Sequence, residues 1–436
     1  MKRILIIPSD HGGGRGHVSR CLYLAGLLRS FGKESAIVLE PKHYSSGTGS
    51  DYKTFLLDTR KDRFVKYQFK KPFKPGIKLK SKVYKRPAFV EFNSLSYQVP
   101  RDGYWTPKLV NFRFEQLSKI IEQFKPDLLV GDTHFLTFLA GEKFKIPVIQ
   151  ITRLAGYPPQ PEFFWWKENS ANFKQPLALG PFMPLLNELH LSDIQKAEDL
   201  LKGNKYLIPA IPEVEPIKGS DESVTFCGPL AEVKTHNQNI PFFNEESTFP
   251  KIYVSIGGGA GRSQERKFFD AILAIFDMQE YSVLVSTGNR IKADKLNGKS
   301  VNVHFENWVH GPSAIEQSDL VIYHGGYGTT MEVLANMKPS IVMPSHSEQE
   351  GNGRRLESLE IGKTVHFCND RQDLNFEWPF GEYNMRAGFD FDLDGKQLLD
   401  ETKKLIYGDS IEKLKSLSAN LIKAKEDFNI EKLLGL

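Results

Sequence analysis

A glycine-rich segment from His324 to Glu332 has the residue types of an anion-binding loop. It stands between the apolar run Leu320 to Tyr323, which predicts a strand, and a pattern that predicts a helix from Thr330 to Asn336. Glycines let the backbone approach a ligand closely, and the free amides of a helix N-terminus favour an anion such as a diphosphate. An earlier loop with Gly257, Gly258 and Arg262 follows another predicted strand and could add amides and a cation. The sequence therefore predicts a phosphate site formed by two loops.

Thr329 and Glu332 also have the spacing of a capping box, in which the carboxylate satisfies its own helix end. Taken alone, capping and ligand binding explain this pair equally well. The wider constellation adds Glu348, Gln349 and Asn352 after the next apolar run. That constellation favours ligand binding.

The stretch from Trp308 to Gly362 resembles the nucleotide-sugar signature of GT-B glycosyltransferases. This group contains the UDP-glucuronosyl and plant glucosyl transferases and the lipid-II-forming N-acetylglucosaminyl transferase. The resemblance implies a nucleotide diphosphate sugar as donor, and we expect a UDP-sugar. It implies that the donor phosphates lie at His324, Gly326, Gly328 and Thr329. From their place in the same two loops, Gly325, Thr330, Gly257, Gly258 and Arg262 are expected at the donor as well.

The same resemblance implies roles for three further groups of residues. Glu332 would hold the ribose hydroxyls, and Glu348 with Gln349 would address the donor sugar. Glu348 stands where Asp is commoner in the family, which leaves the choice of sugar open. The nucleobase would be flanked by Trp308, Val309 and His310.

An N-terminal loop that contains Gly14, Arg15 and Gly16 resembles the acceptor-side glycine loop of the same family, and it closes with His17. The resemblance implies that His17 is the general base, and an imidazole suits proton transfer near neutral pH. Asp132 follows a later strand at the place where relatives orient the histidine. The alternatives are a structural His17 and an Asp132 that caps a helix.

Length and alternation predict the fold class. With 436 residues the chain exceeds one hydrophobic core, and two series of strand, glycine turn and helix predict parallel α/β sheets. We expect a GT-B fold, with two Rossmann-like domains facing each other across a cleft. The expected divisions are an acceptor-binding domain at 1–235, a linker at 236–250, a donor-binding domain at 251–410, and a C-terminal helix at 411–436 that packs on the first domain.

Several functional classes are disfavoured by composition. No apolar run approaches the roughly 20 residues of a membrane span, so we expect a cytoplasmic protein. The three cysteines are far apart and indicate neither zinc nor disulfides. Residues 60–86 hold twelve Lys or Arg against one acid, which could bind an anionic or lipid-linked acceptor or the inner membrane surface. No nucleic-acid partner is expected.

An acidic motif from Asp390 to Glu401 matches the calcium-loop pattern, but its context is wrong. The preceding residues 376–389 contain Pro379 and show no helix pattern, and Asp394 is expected to cap a helix that begins near Lys396. We therefore expect no metal and no cofactor. A dinucleotide site is also disfavoured, because Glu40 is its only candidate acid.

Two other functions stay open from the sequence. Gly16 to Leu22 also resembles the start of the UDP-sugar hydrolases of nonulosonic acid synthesis, in which case His17 would activate water and release free sugar. A non-catalytic nucleotide-sugar-binding subunit is the third alternative. Long insertions at 45–108 and 156–190 favour a bulky acceptor over water.

Overall fold

The computed structural model describes most of the chain. The described residues are 2–9, 16–44, 52–59, 87–162, 173–218, 222–233, 238–243, 248–257 and 265–435. Gly14, Arg15, Gly258, Arg262 and the basic segment 60–86 lie outside them, so their predicted roles are not addressed by the structure.

The first half of the chain forms a parallel sheet that has seven strands within the described residues, in the order β3-β2-β1-β5-β6-β7-β8. Its central strands are almost wholly apolar and buried, as a sheet covered on both faces requires. The strands are β1 Arg3–Pro8, β2 Glu34–Leu39, β3 Lys53–Leu56, β5 Leu128–Asp132, β6 Val148–Ile151, β7 Lys205–Ile208 and β8 Val224–Phe226, and a separate strand, β4, covers Phe89–Glu91.

Helices cover both faces of this sheet. The longest begins at Pro107 after the N-cap Thr106, whose side chain accepts from the Leu109 amide. The helices are α1 Gly16–Ser30, α2 Pro41–Tyr44, α3 Gln98–Arg101, α4 Pro107–Phe124, α5 Thr137–Phe144 and α6 Met183–Glu188.

The second half forms another parallel sheet, with six strands in the described residues and the order β11-β10-β9-β12-β13-β14. Its strands are β9 Lys251–Ser255, β10 Ser282–Ser286, β11 Val303–Glu306, β12 Leu320–Tyr323, β13 Ser340–Val342 and β14 Gly362–Thr364. Its helices are α7 Glu265–Phe276, α8 Gly311–Gln317, α9 Tyr327–Ala335, α10 Ser347–Ser358 and α11 Gly395–Tyr407. Two parallel α/β units thus confirm the predicted fold class.

A small antiparallel sheet ties the two halves together, and the sequence pattern did not predict it. Strands β15 Arg371–Trp378 and β16 Gly381–Gly388 form a hairpin, and β16 pairs with β4 from the first half. Arg371 Nη1 lies 3.1 Å from Glu91 Oε2 across this junction. The segment after β4 is also fastened to the start of α10, because the Phe92 amide donates to Ser347 Oγ at 2.7 Å.

The last helices cross between the two halves. In α12, Ile411–Glu426, the Ser418 hydroxyl donates to the Ala335 carbonyl of the second half. In α13, Ile430–Leu433, the apolar side chains join the core beneath β1 and α1. The predicted domain boundaries remain predictions, because no independent observation divides the chain.

Asp394 accepts a hydrogen bond from the Gln397 amide at the start of α11. The predicted cap is therefore confirmed. Residues 371–388 form the hairpin rather than the helix that an EF-hand requires before its calcium loop.

Candidate active site

Both sheets change strand order at a point where a ligand site is expected. In the first sheet α1 follows β1 beside β5, and in the second the loops after β9 and β12 are neighbours. Ligands of open α/β sheets bind at the carboxyl ends of the strands at such a switch point. Asp132 is the last residue of β5, and Trp308 to His310 follow β11. The other predicted site residues that the structure describes come from these loops, from the helices that follow them or from the helix after β13.

The loop after β12 has the geometry of an anion-binding helix start. Helix α9 begins at Tyr327 with Gly326 as its N-cap, three residues earlier than the sequence pattern predicted. Thr329 therefore lies inside the first turn, and the alternative of a Thr329–Glu332 capping box is wrong. The amides of this turn carry the positive end of the helix dipole.

The two glycine loops meet at His324. Gly257 has a φ of +73°, and a Cβ there would lie 2.3 Å from the His324 ring. A Cβ on Gly326 would lie 2.4 Å from the same ring, and one on Gly325 would lie 2.6 Å from the Gln349 carbonyl. Glycine is therefore required at each of these positions. The two glycine loops lie in contact, as the sequence predicted.

The hydroxyls of the motif differ in their surroundings. Gly328 is exposed and Thr329 is partly exposed at the helix start. Thr330 is buried, and its hydroxyl is bonded to the Tyr323 hydroxyl at 2.8 Å and to the Gly326 carbonyl at 3.0 Å. Thr330 thus secures the strand–helix turn from inside.

Glu332 lies one turn further along α9 and is half-buried. Burial raises the pKa of its carboxyl to about 7. A carboxylate that is costly to ionise gains from any ligand that donates hydrogen bonds to it. Two vicinal hydroxyls are such a ligand.

Trp308, Val309 and His310 connect β11 to α8. The Trp308 side chain is 62% exposed, whereas Val309 is buried in the core. His310 Nδ1 lies 2.8 Å from Ser313 Oγ in the first turn of α8. Of the three, Trp308 offers an aromatic face to a ligand.

Glu348 and Gln349 lie in the first turn of α10. Gln349 Oε1 accepts from the amide and hydroxyl of Ser345, which fixes its orientation. Glu348 Oε1 lies 3.1 Å from Nη1 of Arg153, a residue that follows β6 in the first half. Burial opposes ionisation of Glu348, but the positive charges of Arg153, then His346, Arg101 and His17 together outweigh it, and the pKa falls to about 2.

Arg153 has further partners that hold it in place. Its Nε lies 3.0 Å from the buried Glu215, and its Nη2 donates to Asn352 Oδ1 at 2.6 Å. Asn352 in turn donates to the Gly325 carbonyl at 2.7 Å. Arg153 therefore connects the first half to both helix α10 and the loop after β12.

His17 and Asp132 meet, as the sequence predicted. His17 Nδ1 lies 2.8 Å from Asp132 Oδ1, and the carboxylate is fully buried while the histidine side chain is 31% exposed. Arg20, one turn along α1, donates through Nε to Oδ2 at 3.0 Å and through Nη2 to Oδ1 at 2.9 Å. Burial disfavours the Asp132 anion, but Arg20 and then His17 outweigh it and lower its pKa to about 2. The carboxylate is therefore ionised at neutral pH.

Tyr327 of the phosphate loop lies between the two halves. The guanidinium carbon of Arg153 lies 4.0 Å from its ring centroid and that of Arg20 lies 5.8 Å away. The Tyr327 hydroxyl donates to the Pro209 carbonyl at 3.3 Å. One aromatic ring thus links the histidine pair to the donor loop.

Sequence reasoning gave no role to Arg153 or Arg20. The position of each arginine in the sequence could have suggested a role at the site. Arg153 stands just beyond a buried strand, and Arg20 lies one helical turn after His17. Their partners, however, are 195 and 112 residues away, which no local pattern indicates.

The described residues hold neither a metal-binding cluster nor a membrane-spanning helix. No group of three His, Cys, Asp or Glu side chains is placed to hold a metal ion in this part of the chain. Among the same residues, no helix is both long and apolar enough to cross a bilayer.

The fold and these loops define the GT-B class. The structure of the calicheamicin glycosyltransferase CalG4 superimposes with a TM-score of 0.70 and 16% identity, covering 100% of this chain and 98% of that chain. The glycosyltransferase SsfS6 of Streptomyces sp. SF2575, complexed with thymidine diphosphate, gives a TM-score of 0.57 and 17% identity over 98% of both chains. The GT-B fold is thereby confirmed.

Sequence comparisons point to the same class. Residues 254–371 match the family model of the Glycosyltransferase family 28 C-terminal domain. The NDP-glycosyltransferase YjiC of Bacillus licheniformis is 28% identical over 252 residues, which are 57% of this chain and 62% of the relative. The match therefore spans less than two thirds of that relative's own length.

Proposed function

We propose that this protein is a glycosyltransferase that moves a sugar from a nucleotide diphosphate donor to an acceptor hydroxyl, with His17 as general base. The observation that carries the proposal is the contact of the two half-sites. Arg20 donates to Asp132 of the His17–Asp132 pair and also lies 5.8 Å from the ring of Tyr327, which belongs to the loop from His324 to Thr329.

The second half of the chain suits the donor. The amides at the start of α9 and the His324 ring would receive the diphosphate, and Glu332 the ribose hydroxyls. Trp308 presents an exposed ring on which a nucleobase could stack. The SsfS6 complex with thymidine diphosphate supports a nucleotide diphosphate ligand for this fold.

The first half suits the acceptor chemistry. Because Nδ1 of His17 faces Asp132, Nε2 is the nitrogen left to accept a proton. The acceptor oxygen would form a bond to the anomeric carbon as its proton passes to Nε2. The bond from that carbon to the diphosphate oxygen would break, and the charge that develops there would be met by the α9 amides and His324.

This scheme assigns no step to a metal ion or other cofactor. Which nucleotide, sugar and acceptor are used is open, and an anionic or lipid-linked acceptor that contacts residues 60–86 stays a proposal from the sequence. The test is a panel of nucleotide sugars with and without candidate hydroxyl acceptors, in which nucleotide release and sugar products are both measured.

Acceptor-dependent release with a glycosylated product would support the proposal. Equal release of nucleotide and free sugar without any acceptor would instead establish the hydrolase alternative. Binding of nucleotide sugars without release under any condition would establish a binding subunit.

A further inference from the structure

We propose that Arg20 is a positioning residue that disfavours the cationic form of His17. The imidazole is thereby kept neutral and able to act as a base. This role of Arg20 deepens the proposed function. Only the expected effect on the pH profile of kcat rests on that function. The role of Arg20 follows from one geometric relationship, in which Arg20 and Asp132 both contact the same nitrogen of His17.

The shared nitrogen is Nδ1. It lies 2.8 Å from Asp132 Oδ1 and 3.0 Å from Arg20 Nη2. A carboxylate can only accept a hydrogen bond, so Asp132 favours the neutral tautomer that carries its proton on Nδ1 and leaves Nε2 free. The guanidinium charge beside the ring disfavours a second proton, which would make the imidazole cationic.

The Arg20 side chain is held in this position by burial and by hydrogen bonds. It is 13% exposed, and two of its nitrogens are fixed to the two oxygens of the fully buried Asp132. Its guanidinium also lies over the Tyr327 ring, 5.8 Å from the ring centroid. Burial opposes its charge, but Asp132 outweighs that effect and raises the pKa of Arg20. A permanent cation is thus held against the imidazole.

The consequence for His17 follows from the charges around its ring. Arg20 on the same helix and Asp132 on β5 contact the ring itself. Cys21 Sγ lies 4.0 Å from Asp132 Oδ2, Tyr327 of the second half lies beside Arg20, and the charges of His17 and Glu348 act on each other. The positive charge of Arg20 compensates the negative charge of Asp132. Together, Arg20 and Asp132 therefore give the cationic form of His17 little net stabilisation.

The test measures the His17 ring directly in substrate-free protein. Histidine labelled with ¹⁵N would be titrated by NMR in wild type, Arg20→Met and Arg20→Lys, with His17→Gln used for assignment. Arg20→Met should raise the pH midpoint of the His17 signal by about one unit or more, since a like charge is removed. Arg20→Lys keeps the cation and should stay near wild type.

Two controls separate this role from a general loss of structure. Arg101→Met removes another arginine whose charge acts on Glu348, and it should leave the His17 midpoint unchanged. Where Arg20→Met folds poorly, the double variant Arg20→Met/Asp132→Asn removes both buried charges. Its midpoint should lie below that of Arg20→Met and near that of wild type.

The kinetic readout is the pH profile of kcat. In Arg20→Met the acidic limb should move to higher pH by the same amount as the NMR midpoint. An unmoved His17 midpoint in a folded Arg20→Met protein would overturn the proposal, even if sugar transfer is established. A shifted midpoint in a protein that transfers no sugar would uphold the role of Arg20 and reject the proposed function.

Discussion

Arg153 and Glu348 form an ion pair between the two halves of the protein, with 3.1 Å between Nη1 and Oε1. The arginine follows a strand of the first sheet, and the glutamate lies in the first turn of the helix expected to face the donor sugar. Their contact means that the Glu348 carboxylate is oriented by the opposite half of the molecule. Under the proposed function, donor recognition would therefore be coupled to the approach of the two halves.

We predict that Glu348→Gln weakens binding of nucleotide sugars by roughly tenfold and leaves binding of the nucleotide diphosphate unchanged. The carboxylate is ionised at all working pH values because its pKa is about 2, so the loss should be constant between pH 5 and 9. Calorimetry with both ligands would measure it. Equal losses for both ligands would show that Glu348 does not address the sugar.

Arg153→Met should have a different effect. It leaves the carboxylate of Glu215, which is only 2% exposed, without its cation. Breaking a buried ion pair from one side costs about 3–5 kcal/mol, so the melting temperature should fall clearly. Glu348→Gln is the matched comparison, because it preserves the Arg153–Glu215 pair and should melt near wild type. Similar melting temperatures for both variants would contradict this account.

Glu332→Gln should stabilise the free protein at pH 8 and weaken its binding of UDP or dTDP. The folded-state pKa of about 7 exceeds the usual value of 4.5, so stability linked to this group is full below pH 4.5 and is lost as pH rises through 7. A glutamine cannot ionise, so the variant does not lose this stability as pH rises. Its melting temperature should therefore exceed that of wild type at pH 8 and equal it at pH 4.5.

The same substitution should cost roughly tenfold or more in nucleotide affinity, because a charged acceptor for two hydroxyls is removed. Glu280→Gln, at an exposed position of the second half, is the control for both measurements. Unchanged affinity in Glu332→Gln would mean that the carboxylate does not contact the ligand.

The fold was largely predictable because its strands are local apolar runs. Leu320 to Tyr323 was expected as a strand and is one, and the glycine loops follow their strands as expected. The hairpin from Arg371 to Gly388 was not predicted, because β16 pairs with residues 89–91, which are close only after folding. The start of α9 was placed too late because Gly326, rather than a hydroxyl side chain, occupies the N-cap.

The candidate site was predictable to a similar extent. Asp132 ends β5, and His17 begins the helix that follows the neighbouring strand β1, so their contact could be expected from the parallel pairing of the two strands. The arginines could not be placed, because a long flexible side chain on a helix or loop has many possible partners. Only folding shows that Arg20 and Arg153 contact Tyr327 from two directions.

We predict that sugar transfer survives removal of divalent ions. Charge on the leaving diphosphate can be met by the amides at the start of α9 and by His324, neither of which needs a metal. Turnover should be unchanged after dialysis against EDTA. Complete loss of turnover that one specific divalent ion restores would show that the amides and His324 are not sufficient.

The last prediction separates the roles of His17 and Asp132. His17→Ala should lower kcat by roughly 10²-fold or more and leave nucleotide-sugar affinity nearly intact, because a general base acts on the chemical step. Ser19→Ala, at an exposed position on the same helix, is the control. Asp132→Asn should lower kcat less, yet it should destabilise the fold by about 3–5 kcal/mol, because Arg20 loses its buried partner. Steady-state kinetics, calorimetry and thermal melting would measure the three quantities. Near-normal turnover in His17→Ala combined with a collapse of donor binding would mean that this loop belongs to the donor site.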